Sequence, residues 1–140
     1  MTPKRMAIVI REAAYDRILT PLAFAWLGAA SDIQVDLLFV NWAVRALKIG
    51  EAEKLRVSAE HIEQDAWLRQ QVAAAGMPTS VYDILRALKE TGRVRLYACS
   101  LAAQIFDVTS ETLVPEADGI LGATTFVLEH MAPADITMTF

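Results

Sequence analysis

Cysteine occurs once in the 140 residues and histidine twice. A single cysteine, Cys99, excludes an internal disulfide, and with only His61 and His130 beside it a Cys/His zinc cage is implausible. The carboxylates suggest no ligand spacing for a metal either, so no metal is expected. Basic charge is also in deficit: 13 Lys and Arg stand against 17 Asp and Glu, a net charge of −4. Nucleic-acid binding, which asks for a clustered basic face, is therefore not expected. Long apolar runs are missing as well. The longest, Ile18–Ala30, contains Thr20 and falls short of the roughly 18 residues that a membrane span requires. At the start, Lys4-Arg5 leads into Met6–Ile10, which Arg11-Glu12 breaks at once. That run is too short for a secretory signal, so a soluble, cytoplasmic protein is expected. Neither the G-x-G-x-x-G fingerprint nor Gly-Lys-Ser/Thr is present, and the pair Gly119/Gly122 is too sparse to replace them. Nicotinamide and P-loop readings fall away, and no cofactor is expected.

What remains is a chain that is 54% hydrophobic, with no repeat, low-complexity tract or linker. Disorder is excluded over most of its length. A chain of this size buries roughly 68–70% of its unfolded surface, enough for one domain over residues 1–140. The apolar fraction is high for a small monomer, which hints at buried subunit interfaces.

Short apolar runs alternate with longer helical patterns. Ala7–Ile10, Leu37–Val40 and Val94–Ala98 stay apolar through successive positions, as strands covered on both faces do. Ile18, Leu19, Leu22, Trp26, Leu27 and Ala30 follow a helical pattern that Pro21 interrupts. Either the helix bends there, or it starts with Thr20 as cap and Pro21 in the first turn. A short helix is expected through Leu47 to Gly50. Glu51–Asp65 is the most polar stretch, a solvated loop or helix face that could also gate a site. Val81, Ile84, Leu85 and Leu88 predict a helix opened by a Ser80/Asp83 capping box and closed at Thr91-Gly92. Short helices are expected over Leu101–Phe106 and Leu121–Met131. Ile136, Met138 and Phe140 alternate with threonines as a closing strand. The sum is an α/β fold: one three-layer α/β/α domain with a mainly parallel sheet of about five strands.

Ligands of open parallel sheets gather beyond the carboxyl ends of the strands. Cys99 stands at such an end, after Leu96-Tyr97-Ala98 and before Ser100-Leu101-Ala102-Ala103. Unpaired N–H groups at a strand-to-helix turn favour the thiolate, the nucleophilic form. Free cysteine is equally a common core residue, and placement alone leaves both readings open.

Gly76-Met77-Pro78, the helix Ser80–Lys89, the strand Gly92–Cys99 and the stretch Leu113–Phe126 resemble, in that order, the DsrE-like sulfur-relay family (DsrE/DsrF-like), particularly its DsrE2/DsrE3-type branch. In that branch a Gly-Met-Pro turn and a helix precede a strand ending in Ala-Cys, and a glycine-containing stretch follows, here Ala117–Phe126. Leu37–Trp42 resembles the family's second strand with its aromatic-containing loop. Residues 51–65 match nothing in the family. The resemblance implies a DsrE/F-like, flavodoxin-like architecture that assembles into trimers or hexamers. It also implies a cysteine that carries sulfur as a persulfide between rhodanese-like and TusA-like partners. Only Cys99 matches a functional position. No second cysteine is needed for such a relay, whereas a self-contained dithiol redox enzyme would want one.

His61 and His130 could exchange protons near Cys99, though a surface or capping role is the default for each. Ser100, Asp118 and Thr124, with Thr125, could line a pocket around the cysteine; for Asp118 and the threonines, capping and turn formation compete. Trp26, Trp42 and Trp67 are read as packing residues, with Trp42 the most site-like because it follows the second strand. Arg93 and Arg95 are expected at a solvated strand end or a subunit contact. Three functions follow: a sulfur carrier or sulfurtransferase, a non-catalytic oligomeric partner-binding module with Cys99 buried, and a thiol-based redox-responsive protein.

Overall fold

A computed structural model describes residues 2–140. Five strands, β1 (Arg5–Ile10), β2 (Gln34–Phe39), β3 (Val94–Cys99), β4 (Gly119–Leu121) and β5 (Ile136–Thr139), form one sheet in the order β4-β3-β2-β1-β5. Every pairing in it is parallel. The layered α/β architecture is the expected one; the strand order differs from the flavodoxin order 2-1-3-4-5.

Parallel neighbours need crossovers, and crossovers are right-handed almost without exception. Three successive steps, β1 to β4, move across the sheet in one direction. Helices α1 (Tyr15–Ala30) and α3 (Val81–Glu90), which belong to those steps, pack on each other beside the sheet. The last connection returns across the whole sheet from β4 to β5. Its reversed direction carries α5 (Ala123–Phe126) and the π-helical turn Val127–Met131 to the other face, where Phe126 and His130 meet Tyr97.

The registers divide the sheet residues between these faces. Asp36 is level with Ala7 and Arg95, and Leu38 with Val9 and Tyr97. By alternation Cys99 shares the face of Arg95 and Tyr97. The opposite face carries Met6, Ile8, Val35, Leu37 and Leu96, against which α1 and α3 pack. The helices come close: a Cβ on Gly28 of α1 would stand 2.9 Å from the Val35 side chain, so only glycine fits.

α1 runs continuously through Pro21, so it does not start at Thr20; of the two alternatives the structure has the helix that carries the proline inside it. Pro21 has no N–H to give the Arg17 carbonyl one turn back, and burial of Ile18, Leu22 and Ala25 outweighs that loss. α3 starts and stops where expected. Gly92 adopts φ +72° just past its end, but Ser80 makes no side-chain cap bond, so the capping box is not formed. β2 begins three residues earlier than the apolar run because Asp36 belongs to it. Two elements exceed expectation: α2 (Asp65–Ala74), whose composition masks its helical character, and β4, which takes over the start of the predicted Leu121–Met131 helix. The polar stretch before α2 forms two 3₁₀ segments, 52–54 and 59–64, and the helix expected through Leu47 is the 3₁₀ segment Asn41–Leu47. Among the described residues no helix is long and apolar enough to cross a membrane.

Val81, Ile84, Leu85 and Leu88 bury the inner face of α3. Leu85→Ala is expected to cost about 2–5 kcal/mol in chemical denaturation. Leu101→Ala, at a position 64% exposed, should stay within about 0.5 kcal/mol.

Candidate functional site

Cys99 is the last residue of β3 and the N-cap of α4 (Ser100–Ile105), level with Leu121 on β4. Its position at the carboxyl end of a parallel strand is as expected. Its accessibility is not: the residue is only 6% exposed, and its sulfur makes no capping bond. α4 has six residues, so its terminus offers a short row of free N–H groups. Around it the surface is apolar. Leu101 and Ile105 project from α4, and Trp42, itself exposed, packs against Phe106 with ring centroids 4.9 Å apart. Ser100 is exposed beside Gly122, where an added Cβ would lie 3.9 Å from the serine hydroxyl. Thr124 is exposed in the first turn of α5.

Asp118 faces another way. Its carboxylate accepts two hydrogen bonds from Lys89 Nζ at 2.7 and 2.9 Å and one from the Leu96 N–H at 2.7 Å. It fastens α3 to the start of β4, the turn-forming role that competed with a pocket role. Arg93 pairs with Asp32 at 3.3 Å on the strand's solvated end. Trp26 and Trp67 are exposed, so neither packs in the core of this chain, and interface packing is the part of their reading that stays open. His61 is exposed in the 59–64 segment.

His130 departs from the expected surface or capping place: it is 9% exposed and stacks on Phe126 with centroids 5.1 Å apart. Its Nδ1 lies 2.8 Å from Oδ2 of Asp36, which is 1% exposed. Arg95 donates to Oδ1 of the same carboxylate at 2.9 Å, and the Arg5 guanidinium stands 3.7 Å from Oδ2. A buried carboxylate needs such partners because its desolvation would otherwise shift it to the neutral acid. Asp36 is level with Arg95, four residues or roughly 13 Å of strand from Cys99. Asp36 thus holds His130 toward the opposite end of the strand, and Tyr97 occupies the face between. This cluster was not anticipated. Its signal was an aspartate inside the run Val35–Phe39, where a solvated acid has no place.

Another feature lies at the carboxyl ends of β1 and β2: a cleft of about 420 Å³ lined by Glu12, Ala13, Ala14, Trp42, Arg45, Lys54, Leu55 and Arg56. The segment 54–58 that forms one wall is fastened at several points. Leu55 and Val57 are buried, and the Leu55 carbonyl accepts from Arg69 at 2.6 Å. The Tyr15 N–H donates to the Arg56 carbonyl at 2.7 Å. Ser58 donates twice to Asp16, from its N–H at 2.7 Å and its hydroxyl at 2.6 Å. Burial pushes the Asp16 carboxyl up, but the Ser58 hydroxyl and N–H outweigh it and hold the group below the usual aspartate range. The Arg69 guanidinium does the same to Asp65.

The family model described as DsrE/DsrF-like matches residues 4–140. No curated protein matches the chain. Among solved structures, the ychN protein from E. coli is similar at 17% identity and a TM-score of 0.63, with 98% of this chain and 99% of that one covered. A protein of unknown function from Methanobacterium thermoautotrophicum, MTH1491, is similar at 13% identity and a TM-score of 0.60, covering 96% and 98%. At these identities the two structures speak to the fold.

The depressed Asp16 carboxyl makes a prediction with a definite sign. A carboxyl lowered on folding stabilises above its unfolded value near 4 and loses that contribution as pH falls through the lower folded value. Denaturation of Asp16→Asn and of the native chain should therefore differ most at neutral pH and converge as the pH falls through the lowered folded value. A constant difference across that range would contradict the assignment.

Proposed function

The chain belongs to the DsrE/DsrF-like family, and from that premise we propose that it accepts sulfane sulfur on Cys99 as a persulfide and passes it on. A sulfur-relay role is what the family suggests. The finer reading rests on one observation: the only thiol of the chain ends β3 at the carboxyl edge of the sheet. The Cys99 thiolate attacks the sulfane sulfur of a donor, the donor's S–S bond breaks, and the donor leaves as a thiolate. An acceptor thiolate then attacks the outer sulfur of the persulfide and restores Cys99. Both exchanges move sulfur between thiolates, so no external oxidant or reductant enters. Donor and acceptor are proteins of the rhodanese-like or TusA-like kind, and the exposed apolar residues Leu101, Ile105 and Trp42 give them a surface beside the cysteine. The setting is the cytoplasm, where thiols stay reduced.

The 6% exposure of Cys99 means that loading requires a movement that uncovers the sulfur, and partner docking on α4 supplies one. The same burial favours a second reading, an oligomeric partner-binding module in which Cys99 is a core residue. Mass spectrometry after incubation with a sulfane-sulfur donor separates the two. A reducible gain of about 32 Da on the native chain and none on Cys99→Ser supports the carrier. A cysteine inert even with a donor protein present leaves the module, and a gain of about 16 Da after peroxide without sulfur loading marks a redox-responsive thiol.

The proposal includes a homo-oligomer, a trimer or hexamer. α1 carries no charged residue from Ile18 to Ala30, and its outer side exposes Phe24, Trp26 and Leu27. Sedimentation should give a trimer or a larger species over a wide concentration range. A clean monomer would remove the oligomer.

A further inference from the structure

The cleft between the ends of β1 and β2 shares Trp42 with the apolar surface beside Cys99 and carries a charge that runs against the rest of the chain. The protein as a whole is acidic, yet three cations, Arg45, Lys54 and Arg56, line this cleft against one carboxylate, Glu12. Glu12 is engaged by Arg17 at 3.4 Å, and Arg45 meets Glu51 at 3.2 Å. Lys54 and Arg56 form no ion pair among the described residues, although on their other side they border a second cleft that carries Glu53, Glu63 and Asp65.

That wall is built rather than loose. The backbone is extended at Leu55, so side chains alternate: Leu55 and Val57 enter the core while Lys54 and Arg56 emerge on the other side. The bonds from Arg69, Tyr15 and Ser58 described above fix the backbone of the segment against α1 and α2, so the two cationic side chains leave from a fixed stretch of chain. A fixed backbone of this kind spares a ligand part of the ordering cost of its partners. The wall also gives the polar stretch 51–65, which the family model covers although no motif in it was recognised from the sequence, a physical task.

We propose that this cleft binds a small organic phosphate monoester. Two cations free of any ion pair match a head group that carries about −1.5 to −2 at neutral pH. The guanidinium of Arg56 offers paired N–H donors to its oxygens, and Lys54 acts as a point charge. The cleft, of about 420 Å³, has room for more than an inorganic ion, and the exposed indole of Trp42 gives the organic body an apolar wall. Open parallel sheets take ligands at this end of their strands.

Calorimetric titration at constant ionic strength tests the assignment, with phenyl phosphate as the probe and inorganic phosphate, phenol and a phosphoserine peptide alongside. Phenyl phosphate is expected to bind saturably, more tightly than inorganic phosphate or phenol. The double variant Lys54→Gln/Arg56→Gln, altered only at exposed side chains, should melt as the native protein does and bind at least tenfold more weakly. Trp42→Leu should weaken phenyl phosphate several-fold and leave inorganic phosphate unchanged. Cys99→Ser should bind as the native chain does, which keeps this site separate from sulfur loading. No saturable binding, or equal binding by the double variant, overturns the proposal. Tighter binding of the phosphoserine peptide than of phenyl phosphate overturns the small-molecule assignment.

Discussion

Five parallel strands can be joined only by chain that leaves one end of the sheet and re-enters at the other, and the twist of the backbone permits one hand for that passage. In this protein the constraint acts twice. Three connections in one direction lay α1 and α3 on a single face and build most of the core there. The fourth reverses and lays α5 and the π-helical turn on the other. That second face is thinly roofed, and on it the chain gathers its polar anatomy: Asp36, Arg95, His130 and, at the far end, Cys99. Alternation along β3 puts the sole thiol on this face, and the strand order decides what covers it.

Asp36 shows what such a thin cover demands. A carboxylate in the middle strand of the sheet is tolerable only with donors converging on it, and these come from β1, β3 and the π-helical turn. One charge therefore ties together the first strand, the third strand and the last crossover, which are far apart in sequence. Replacing a satisfied cluster of this sort with apolar groups is often neutral for stability. Its contribution here is positional: the bond from His130 ties the π-helical turn to the middle of the sheet.

Much of this was legible in the sequence. The strands at Ala7–Ile10 and Val94–Ala98 announce themselves by unbroken apolar runs, and α3 by the spacing of Val81, Ile84, Leu85 and Leu88. The order of motifs ending in Ala98-Cys99 pointed to the DsrE/DsrF-like family. What stayed hidden has physical causes. Asp36 interrupts hydrophobicity, so β2 seemed to begin after it. α2 exposes most of its side chains and lacks the apolar stripe that periodicity detects. Nothing local distinguishes a cysteine that faces solvent from one 6% exposed, because its cover comes from elements remote in sequence. The cationic cleft was hidden for the same reason: Arg45 lies in the segment after β2, Lys54 and Arg56 in the polar stretch after it, and only the fold brings Glu12 and Ala13 opposite them.

The outermost strands, β4 with three residues and β5 with four, leave only brief rows of unsatisfied backbone donors and acceptors at the two rims. Rims that brief are poor templates for extending a sheet from one molecule into the next, the route by which many β-rich chains become fibres. Recognition at these rims is left to side chains, where it is set by shape and composition rather than by the generic peptide group.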